Sequence, residues 1–247
     1  MPAPTPPPAP TRRPRVVLDC DPGLDDAVAI ALALDHTDVV AITTVGGNVG
    51  VAATTHNALA VTELVGRADV EVHAGHDEPI DAAPIQRAAD VHGPNGMGDT
   101  ALPEPTRPPT STDAVGALLT ASHEYDDLWI VATGPLTNIA HAIRRDPTIV
   151  DRVRGLSWMG GSSTYGNVTA AAEFNAWADP EAMAVVFGAG FERVLMHGLN
   201  VTHTVLLDDA WIDRLAAVDG AVAATFAGVL RFYRRRQIEL STLPGAS

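Results

Sequence analysis

The sequence predicts an α/β fold in which an open, mainly parallel sheet is flanked by helices. Short β-branched runs alternate with Ala-rich segments of helical length, which is the pattern of βαβ units. The chain has 247 residues, of which 46% are hydrophobic, enough for one sizeable core. An acidic cluster follows the first β-branched run, where open parallel sheets bind ligands. We therefore expect a disordered Pro-rich tail at residues 1–14 and a single domain at 15–247.

The predicted elements follow this alternation along the chain. Strands are expected at Val16–Asp19, Val39–Val45, Val70–Ala74, Leu128–Thr133, Gly155–Met159 and Arg193–His197. Helices are expected at Asp25–Leu34, Val51–Val65, Thr112–Ser122, Leu136–Arg145, Pro180–Phe187, Trp211–Ala217 and Ala221–Ile238. Two glycine-rich segments, His92–Asp99 and Met159–Asn175, are expected to be long polar loops, which tend to carry function in compact α/β domains.

Charge and cysteine content limit the classes of function. Sixteen Lys and Arg residues stand against 30 Asp and Glu residues, a formal net charge of −14. This balance disfavours binding to nucleic acid or to an anionic membrane, so neither is expected as a partner. No apolar run reaches the roughly 18 residues of a transmembrane helix. Cys20 is the only cysteine, which excludes an intrachain disulfide and leads us to expect a cytoplasmic location.

The segment VVLDCDPGLDD, Val16–Asp26, places four carboxylates directly after a predicted buried strand. Asp25 or Asp26 suits the N-terminus of the following helix, where an acidic side chain is favourable. Helix capping does not account for Asp19 and Asp21, because like charges this close repel unless a cation or a shared proton offsets them. A hard divalent cation is the simplest remedy, since carboxylate and carbonyl oxygens are ligands of calcium and magnesium.

The motif LDCDPGLDDAVAI resembles the N-terminal signature of the nucleoside hydrolases, which cleave the N-glycosidic bond of purine or pyrimidine nucleosides. Further matching motifs follow in the family order, from about Val16 to His203: AITTVGGNV, HGPNGMGD, VATGPLTNIA, WMGG and AEFNAWADPEA. The resemblance implies hydrolysis of a ribonucleoside, a small-molecule partner, to ribose and free base using calcium-bound water. It also implies a family whose members often form homo-oligomers.

Matching by position extends the resemblance to a metal site and a catalytic residue. Asp21 and Asp26 match the carboxylate ligands of a tightly held Ca2+ ion, and Thr133 matches the residue that contributes a backbone carbonyl oxygen. Asp21 would also hold the attacking water and accept its proton. A cation lowers the pKa of bound water, and an adjacent carboxylate can take the proton as attack proceeds.

The same matching implies a ribose pocket with a loop over the nucleobase. The ribose-binding residues would be Asp25, Asn48, Asn167, Glu173 and Asn175, and His92 would lie over the base. Each also has an ordinary structural explanation. Asn48 and Asn167 follow glycines and suit turns, Glu173 suits a solvated surface, and His92 suits an exposed loop. The remaining histidines considered show no ligand spacing and are expected to be surface or hydrogen-bonded residues: His73, His76, His123 and His141.

Two other classes of function are alternatives to the hydrolase. Nucleoside hydrolases continue into a His-Asp-Pro motif that completes the calcium site, and no His-Asp pair follows Ile238 here. We therefore expect a domain that is incomplete at its C-terminus, and a catalytically impaired nucleoside-binding fragment or pseudoenzyme stays open as the alternative. A phosphatase of the haloacid-dehalogenase type shares the Asp-x-Asp pattern of Asp19 and Asp21, but it requires a later lysine and the chain contains none.

Overall fold

The computed structural model describes residues 12–81, 87–98 and 100–241, so most of the predicted tail lies outside the described residues. The strands are β1 Arg15–Cys20, β2 Asp38–Thr44, β3 Val72–Ala74, β4 Leu128–Ala132, β5 Gly155–Met159 and β6 Val194–His197. They form one sheet in the order β3-β2-β1-β4-β5-β6, and every neighbouring pair is parallel. The predicted open parallel sheet is therefore confirmed, and each predicted strand is present.

Helices connect the strands and flank the sheet. They are α1 Leu24–His36, α2 Val51–Leu64, α3 Ala89–His92, α4 Ala114–Glu124, α5 Thr137–Arg145, α6 Ile149–Arg152, α7 Phe174–Ala178, α8 Pro180–Gly188, α9 Leu199–Thr202, α10 Asp209–Ala216 and α11 Ala221–Ser241. The predicted helices are confirmed with shifted ends. The sequence did not predict α3, α6, α7 and α9, because a helix of about one turn is too short to show periodicity. Within the described ranges, no helix combines the length and apolar composition that a membrane span needs.

Alternating side chains of the strands divide the core between the two faces of the sheet. Val17 packs with buried residues of α4, α5 and α8 on one face. Val16, Leu18 and Cys20 pack with buried residues of α1 and α2, and with Phe226 of α11, on the other. Because both faces of β1 are covered, this strand is apolar along most of its length, as is typical of parallel sheets, whereas the edge strand β6 is exposed.

The strand order reverses between β1 and β4, and this reversal creates the candidate site. The chain leaves β1 for α1 on one face of the sheet and leaves β4 for α5 on the other. The two connections diverge, so a crevice opens beyond the carboxyl ends of these strands, the usual ligand position in open α/β sheets. Asp21 follows β1 and Thr133 follows β4, which places both at this edge.

Candidate active site

Asp21 lies at the centre of the crevice, with one carboxylate oxygen hydrogen-bonded and the other without a hydrogen-bond partner among the described residues. Its Oδ2 accepts a hydrogen bond from the Asn48 backbone N–H at 2.7 Å, and Asn48 Nδ2 donates to the Asp21 carbonyl at 3.1 Å. Its side-chain Oδ1 is buried and has no hydrogen-bond partner among the described residues. Burial, together with the charge of Asp26, raises the pKa of Asp21 well above its ordinary value. Oδ1 is therefore available to a ligand, and Asp19 Oδ2 is the other buried carboxylate oxygen without a hydrogen-bond partner among the described residues.

The side chain of Asp26 accepts hydrogen bonds from the three loops that follow β1, β2 and β4. In the first turn of α1, its Oδ2 accepts from the Gly23 N–H at 3.0 Å and from Asn48 Nδ2 at 3.2 Å. Its Oδ1 accepts from the Thr133 hydroxyl at 2.6 Å, a contact that the sequence did not predict. Burial first, and then the charge of Asp25, raises the pKa of Asp26 to about 7. Two buried carboxylates thus share this end of the crevice, and both are easier to ionise beside a cation.

The connection after β5 brings two further polar side chains, Glu173 and Asn175, to the crevice. Asn175 Nδ2 donates to the Thr133 carbonyl at 2.8 Å and to the Met159 carbonyl at 3.0 Å. Glu173 is 2% exposed, and its Oε2 accepts from the Gly161 N–H at 2.7 Å and the Ala176 N–H at 3.1 Å. Burial raises the pKa of Glu173, while the backbone N–H groups act in the opposite direction. Glu173 is therefore a buried and oriented carboxylate, not a solvated surface charge.

Asn167 and Asp25 lie at the outer part of the candidate site. Asn167 is exposed, and its Oδ1 accepts from the Phe174 N–H at 2.8 Å, which supports the loop that enters α7. Within the described residues, no bond joins Asn167 to the buried carboxylates. Asp25 is exposed in the first turn of α1, and its Oδ1 lies 4.0 Å from His92 Nδ1. Both residues are accessible to a ligand that enters the crevice.

His92 and Tyr233 form an aromatic wall beside the first turn of α1. His92 is buried, and its Nδ1 accepts a hydrogen bond from the Leu24 N–H at 3.1 Å. The proton of the neutral ring is therefore on Nε2. Burial lowers the pKa of His92, which favours that neutral form. Tyr233 of α11 stacks on the ring with a centroid distance of 5.8 Å, and sequence motifs missed it because it lies in the middle of an ordinary helix.

Comparison with known proteins identifies the family of this chain. The family model described as inosine-uridine preferring nucleoside hydrolase matches residues 16–246. The chain belongs to the nucleoside hydrolase family. It is 41% identical over 226 residues to the inosine-uridine preferring nucleoside hydrolase of Crithidia fasciculata, covering 90% of this chain and 71% of that protein. It is 40% identical over 223 residues to the pyrimidine-specific ribonucleoside hydrolase RihA of Shewanella oneidensis, covering 88% and 69% respectively.

Solved structures of other nucleoside hydrolases share the fold. A plant nucleoside hydrolase superposes with a TM-score of 0.87 at 36% identity, covering 92% of this chain and 73% of that structure. The purine-preferring ribonucleoside hydrolase from Gardnerella vaginalis superposes with a TM-score of 0.89 at 32% identity, covering 94% and 76%. The family predicted from the motifs is therefore confirmed. The relatives' names include both purine and pyrimidine preferences, so family membership does not select a base.

Nucleoside hydrolases are metal-dependent, and the residues in the crevice fit a hard divalent cation. Asp21 Oδ1 is buried without a protein partner, and Asp26 lies beside it as a second buried carboxylate. In the described part of the chain, no group of three or more His, Cys, Asp and Glu residues could hold a metal. A third protein donor would therefore be the Thr133 carbonyl, which keeps a lone pair beside its bond from Asn175. An all-oxygen donor set suits calcium or magnesium and not a thiolate-binding metal.

Asp19 does not belong to this donor set, although it is part of the acidic motif. Its Oδ1 accepts from the Thr43 hydroxyl at 2.5 Å and from Asn138 Nδ2 at 2.9 Å. Alternation along β1 directs this side chain toward α5, on the same face as Val17. Burial raises the pKa of Asp19 to about 6. Hydrogen bonds from Thr43 and Asn138 support Asp19 Oδ1, whereas Asp19 Oδ2 is buried without a hydrogen-bond partner among the described residues.

We expect the chelator-treated protein to melt at a lower temperature at pH 8 than at pH 5. The unfolded pKa of Asp26 is about 3.9 and its folded pKa is about 7. The stabilising contribution of the protonated carboxyl is therefore complete below pH 4 and is lost as the pH rises through 7. Calcium should restore the melting temperature at pH 8. Circular dichroism melts check this, with Asp26→Asn expected to reduce the pH dependence and Asp35→Asn, at an exposed position, expected to preserve it. A pH dependence unchanged by Asp26→Asn would contradict the prediction.

Proposed function

We propose that this chain hydrolyses the N-glycosidic bond of ribonucleosides to ribose and free base, with a calcium ion held by Asp21, Asp26 and the Thr133 carbonyl. The observation that carries the proposal is the buried Asp21 Oδ1, which has no hydrogen-bond partner among the described residues. It lies at the edge of the sheet where the strand order reverses, between β1 and β4. Membership of the nucleoside hydrolase family and the names of its relatives support the reaction class.

Asp21 would orient and deprotonate the attacking water. The Asn48 N–H fixes Oδ2, and Oδ1 has two lone pairs, one to hold the cation and one to accept a hydrogen bond from that water. When bound, the calcium ion would supply positive charge that polarises the water and offsets the two buried carboxylates. The water oxygen bonds to C1′ of the ribose, the C1′–N bond breaks, and Asp21 accepts one water proton. A positioned general base of this kind contributes about 10²–10⁴-fold to the rate.

Carboxylates and amides around the crevice would bind ribose and stabilise its transition state. Glycosidic cleavage places positive charge on the sugar ring, which favours a pocket of fixed negative charge. Glu173 is held in place by two backbone N–H groups, so it requires little reorganisation as this charge develops. Asn48 and Asn175 offer amide groups beside it, and Asp25 and Asn167 lie nearer the solvent. Ribose hydroxyls donate and accept hydrogen bonds, and this set of side chains can satisfy both roles.

His92 would assist the leaving base. Its Nδ1 is occupied by the Leu24 N–H, so Nε2–H is a donor that needs no net charge on the ring. A hydrogen bond from this group to the departing base would stabilise the electron pair that the broken C1′–N bond leaves on nitrogen. The base then takes up a proton, which balances the one that Asp21 received from water. Tyr233 keeps the imidazole ring in position by stacking.

A nucleoside-binding protein without turnover is the second candidate. The observation that favours it is that, among the described residues, no group of three or more His, Cys, Asp and Glu side chains could hold a metal ion. This candidate requires ribose recognition but no release of ribose.

A cytoplasmic location and a homo-oligomeric state stay predictions, because the geometry of the site bears on neither.

We expect ribose release from at least one of inosine, uridine, adenosine and cytidine in the presence of calcium, and none after chelation. The 2′-deoxy counterparts should react at least about tenfold more slowly, since losing a hydroxyl leaves buried polar groups unpaired at about 1–3 kcal/mol. A reducing-sugar assay measures release, and titration calorimetry measures nucleoside binding. Calcium-dependent, ribose-selective binding without release would favour the second candidate. Equal rates and equal affinities for the ribonucleosides and their 2′-deoxy counterparts would rule out the proposed pocket.

A further inference from the structure

A surface recess outside the crevice gathers two histidines and two arginines. The recess has a volume of about 390 Å³ and is lined by His76, Asp113, Val115, His141, Arg144 and Arg145. We call it the histidine recess. His76 follows β3, Asp113 caps α4, and the other basic residues lie on α5. These residues have no part in the proposed hydrolysis, and no sequence pattern groups His76 with His141.

Hydrogen bonds to Asn138 fix the tautomer of His76. Asn138 Nδ2 donates to Asp19 Oδ1 at 2.9 Å and to the Thr44 carbonyl at 3.0 Å, so its Oδ1 is the acceptor. That oxygen accepts from the His76 backbone N–H at 3.0 Å and lies 3.1 Å from His76 Nδ1. Nδ1 must therefore carry a proton and donate. The other ring nitrogen, Nε2, therefore carries the lone pair of the neutral ring.

The stacking of the two imidazoles disfavours a shared metal ion. The rings of His76 and His141 are 3.8 Å apart between centroids and 5° from parallel. The lone pair of a ring nitrogen lies in the ring plane, so the lone pairs of two parallel rings do not converge on one ion. The guanidinium groups of Arg144 and Arg145 would repel a cation as well. The ligand chemistry that suits the recess is therefore anionic.

The net positive charge of the recess also favours an anionic ligand. With neutral imidazoles, Arg144, Arg145 and Asp113 leave one net positive charge, and protonation of His141 raises this to two. Asp113 lies 3.4 Å from Arg145 but also accepts from the Gly116 N–H at 2.8 Å as the cap of α4. Among the described residues, Arg144 has no carboxylate within ion-pair distance. The recess is therefore a local positive site on a chain whose net charge of −14 would otherwise repel anions.

We propose that the histidine recess binds a phosphate-type oxyanion between the stacked imidazoles and Arg144. Tetrahedral oxyanions accept several charge-assisted hydrogen bonds at once, and imidazolium and guanidinium groups are donors of this kind. Bound phosphate would come either from free inorganic phosphate or from a small phosphorylated sugar, which share this chemistry. The proposal is independent of the hydrolase reaction.

Binding should be linked to proton uptake by His141. Burial, the neighbouring His76 and Arg144 lower the pKa of His141, while Asp179 at the N-cap of α8 acts in the opposite direction. Asp113 of α4 and Arg145 also face the recess. An anion offsets the repulsion between the cationic groups, so it should raise the pKa of His141. Affinity should therefore increase as the pH falls from 8 to 6.

Sulfate is the best first probe, because its charge is constant between pH 6 and 8 whereas that of phosphate changes. Proton–nitrogen correlation spectra of the imidazole rings should show saturable shifts at His76 and His141 at millimolar sulfate, with binding several-fold tighter at pH 6 than at pH 8. Arg144→Gln should weaken binding about fivefold or more, the loss of one charge-assisted contact at an exposed position. His141→Gln should remove most of the pH dependence. His36→Gln, on the exposed end of α1, is the matched control and should leave binding unchanged.

Ionic strength is kept constant with chloride, so that general screening does not imitate binding. Inorganic phosphate and ribose 5-phosphate are then compared at pH 6. Equal affinities would identify the free anion as the ligand, and tighter binding of the sugar phosphate would identify an organic phosphate. Ring shifts that do not saturate, or that persist unchanged in Arg144→Gln and His141→Gln, would overturn the proposal.

Discussion

Asp21→Asn should reduce ribose release by about 10³-fold or more while raising the melting temperature of the chelated protein. The amide keeps an oxygen that can accept from the Asn48 N–H at the same position, so the fold should be retained. It cannot accept a proton from water, and loss of a positioned general base costs about 10²–10⁴-fold in rate. The substitution also removes a buried carboxylate that has no protein partner on Oδ1, which relieves unfavourable desolvation.

The two effects are measured separately, which distinguishes a catalytic role from a structural one. Steady-state ribose release gives the rate, and thermal melts with and without calcium give the stability. Calcium should stabilise the wild type and should stabilise Asp21→Asn far less, because one charged ligand is lost. Asp35→Asn is the matched control at an exposed site of α1. Turnover within about threefold of wild type, or undiminished stabilisation by calcium, would remove Asp21 from the proposed mechanism.

Gly47→Ala should impair the site almost as severely without changing a functional group. A Cβ at Gly47 would collide with Asp21 Oδ2 and would lie 2.8 Å from Asp21 Cγ and 2.9 Å from Pro135 Cδ. Asp21 is buried and bonded to the Asn48 N–H, so it cannot move away without losing that bond. A displacement of about 1 Å in a reacting group can cost about 10²-fold in rate, and overpacking costs about 1–3 kcal/mol in stability.

Gly188→Ala provides the matched control for this prediction. Gly188 ends α8, and a Cβ built there meets nothing within 4 Å. The added methyl group should leave calcium binding and ribose release unchanged and alter stability by no more than about 1 kcal/mol. Kinetics and melting of the two variants check the contrast. Wild-type turnover in Gly47→Ala would show that the packing around Asp21 is looser than the structure indicates.

The sequence alone determined the strands and the principal helices, because hydrophobic periodicity records which side chains face the core. It also located the acidic motif at the end of β1, since polar residues that follow a buried strand must lie at the edge of the sheet. Family resemblance added Thr133 and Glu173, which no local pattern distinguishes from an ordinary loop residue. The short helix α7 was missed because a single turn has no measurable period.

Tertiary structure decided which polar groups are satisfied and which are left for a ligand. The Thr133 hydroxyl reaches Asp26 across 107 residues of sequence, and Asn138 reaches Asp19 across 119. These bonds hold one oxygen each of Asp26 and Asp19, whereas Asp21 Oδ1 has no hydrogen-bond partner among the described residues. The tautomer of His92 and its stacking on Tyr233 have the same origin. Sequence fixes the identity and local spacing of such groups, but burial and hydrogen bonding depend on the segments that pack against them, and those segments are distant in the chain.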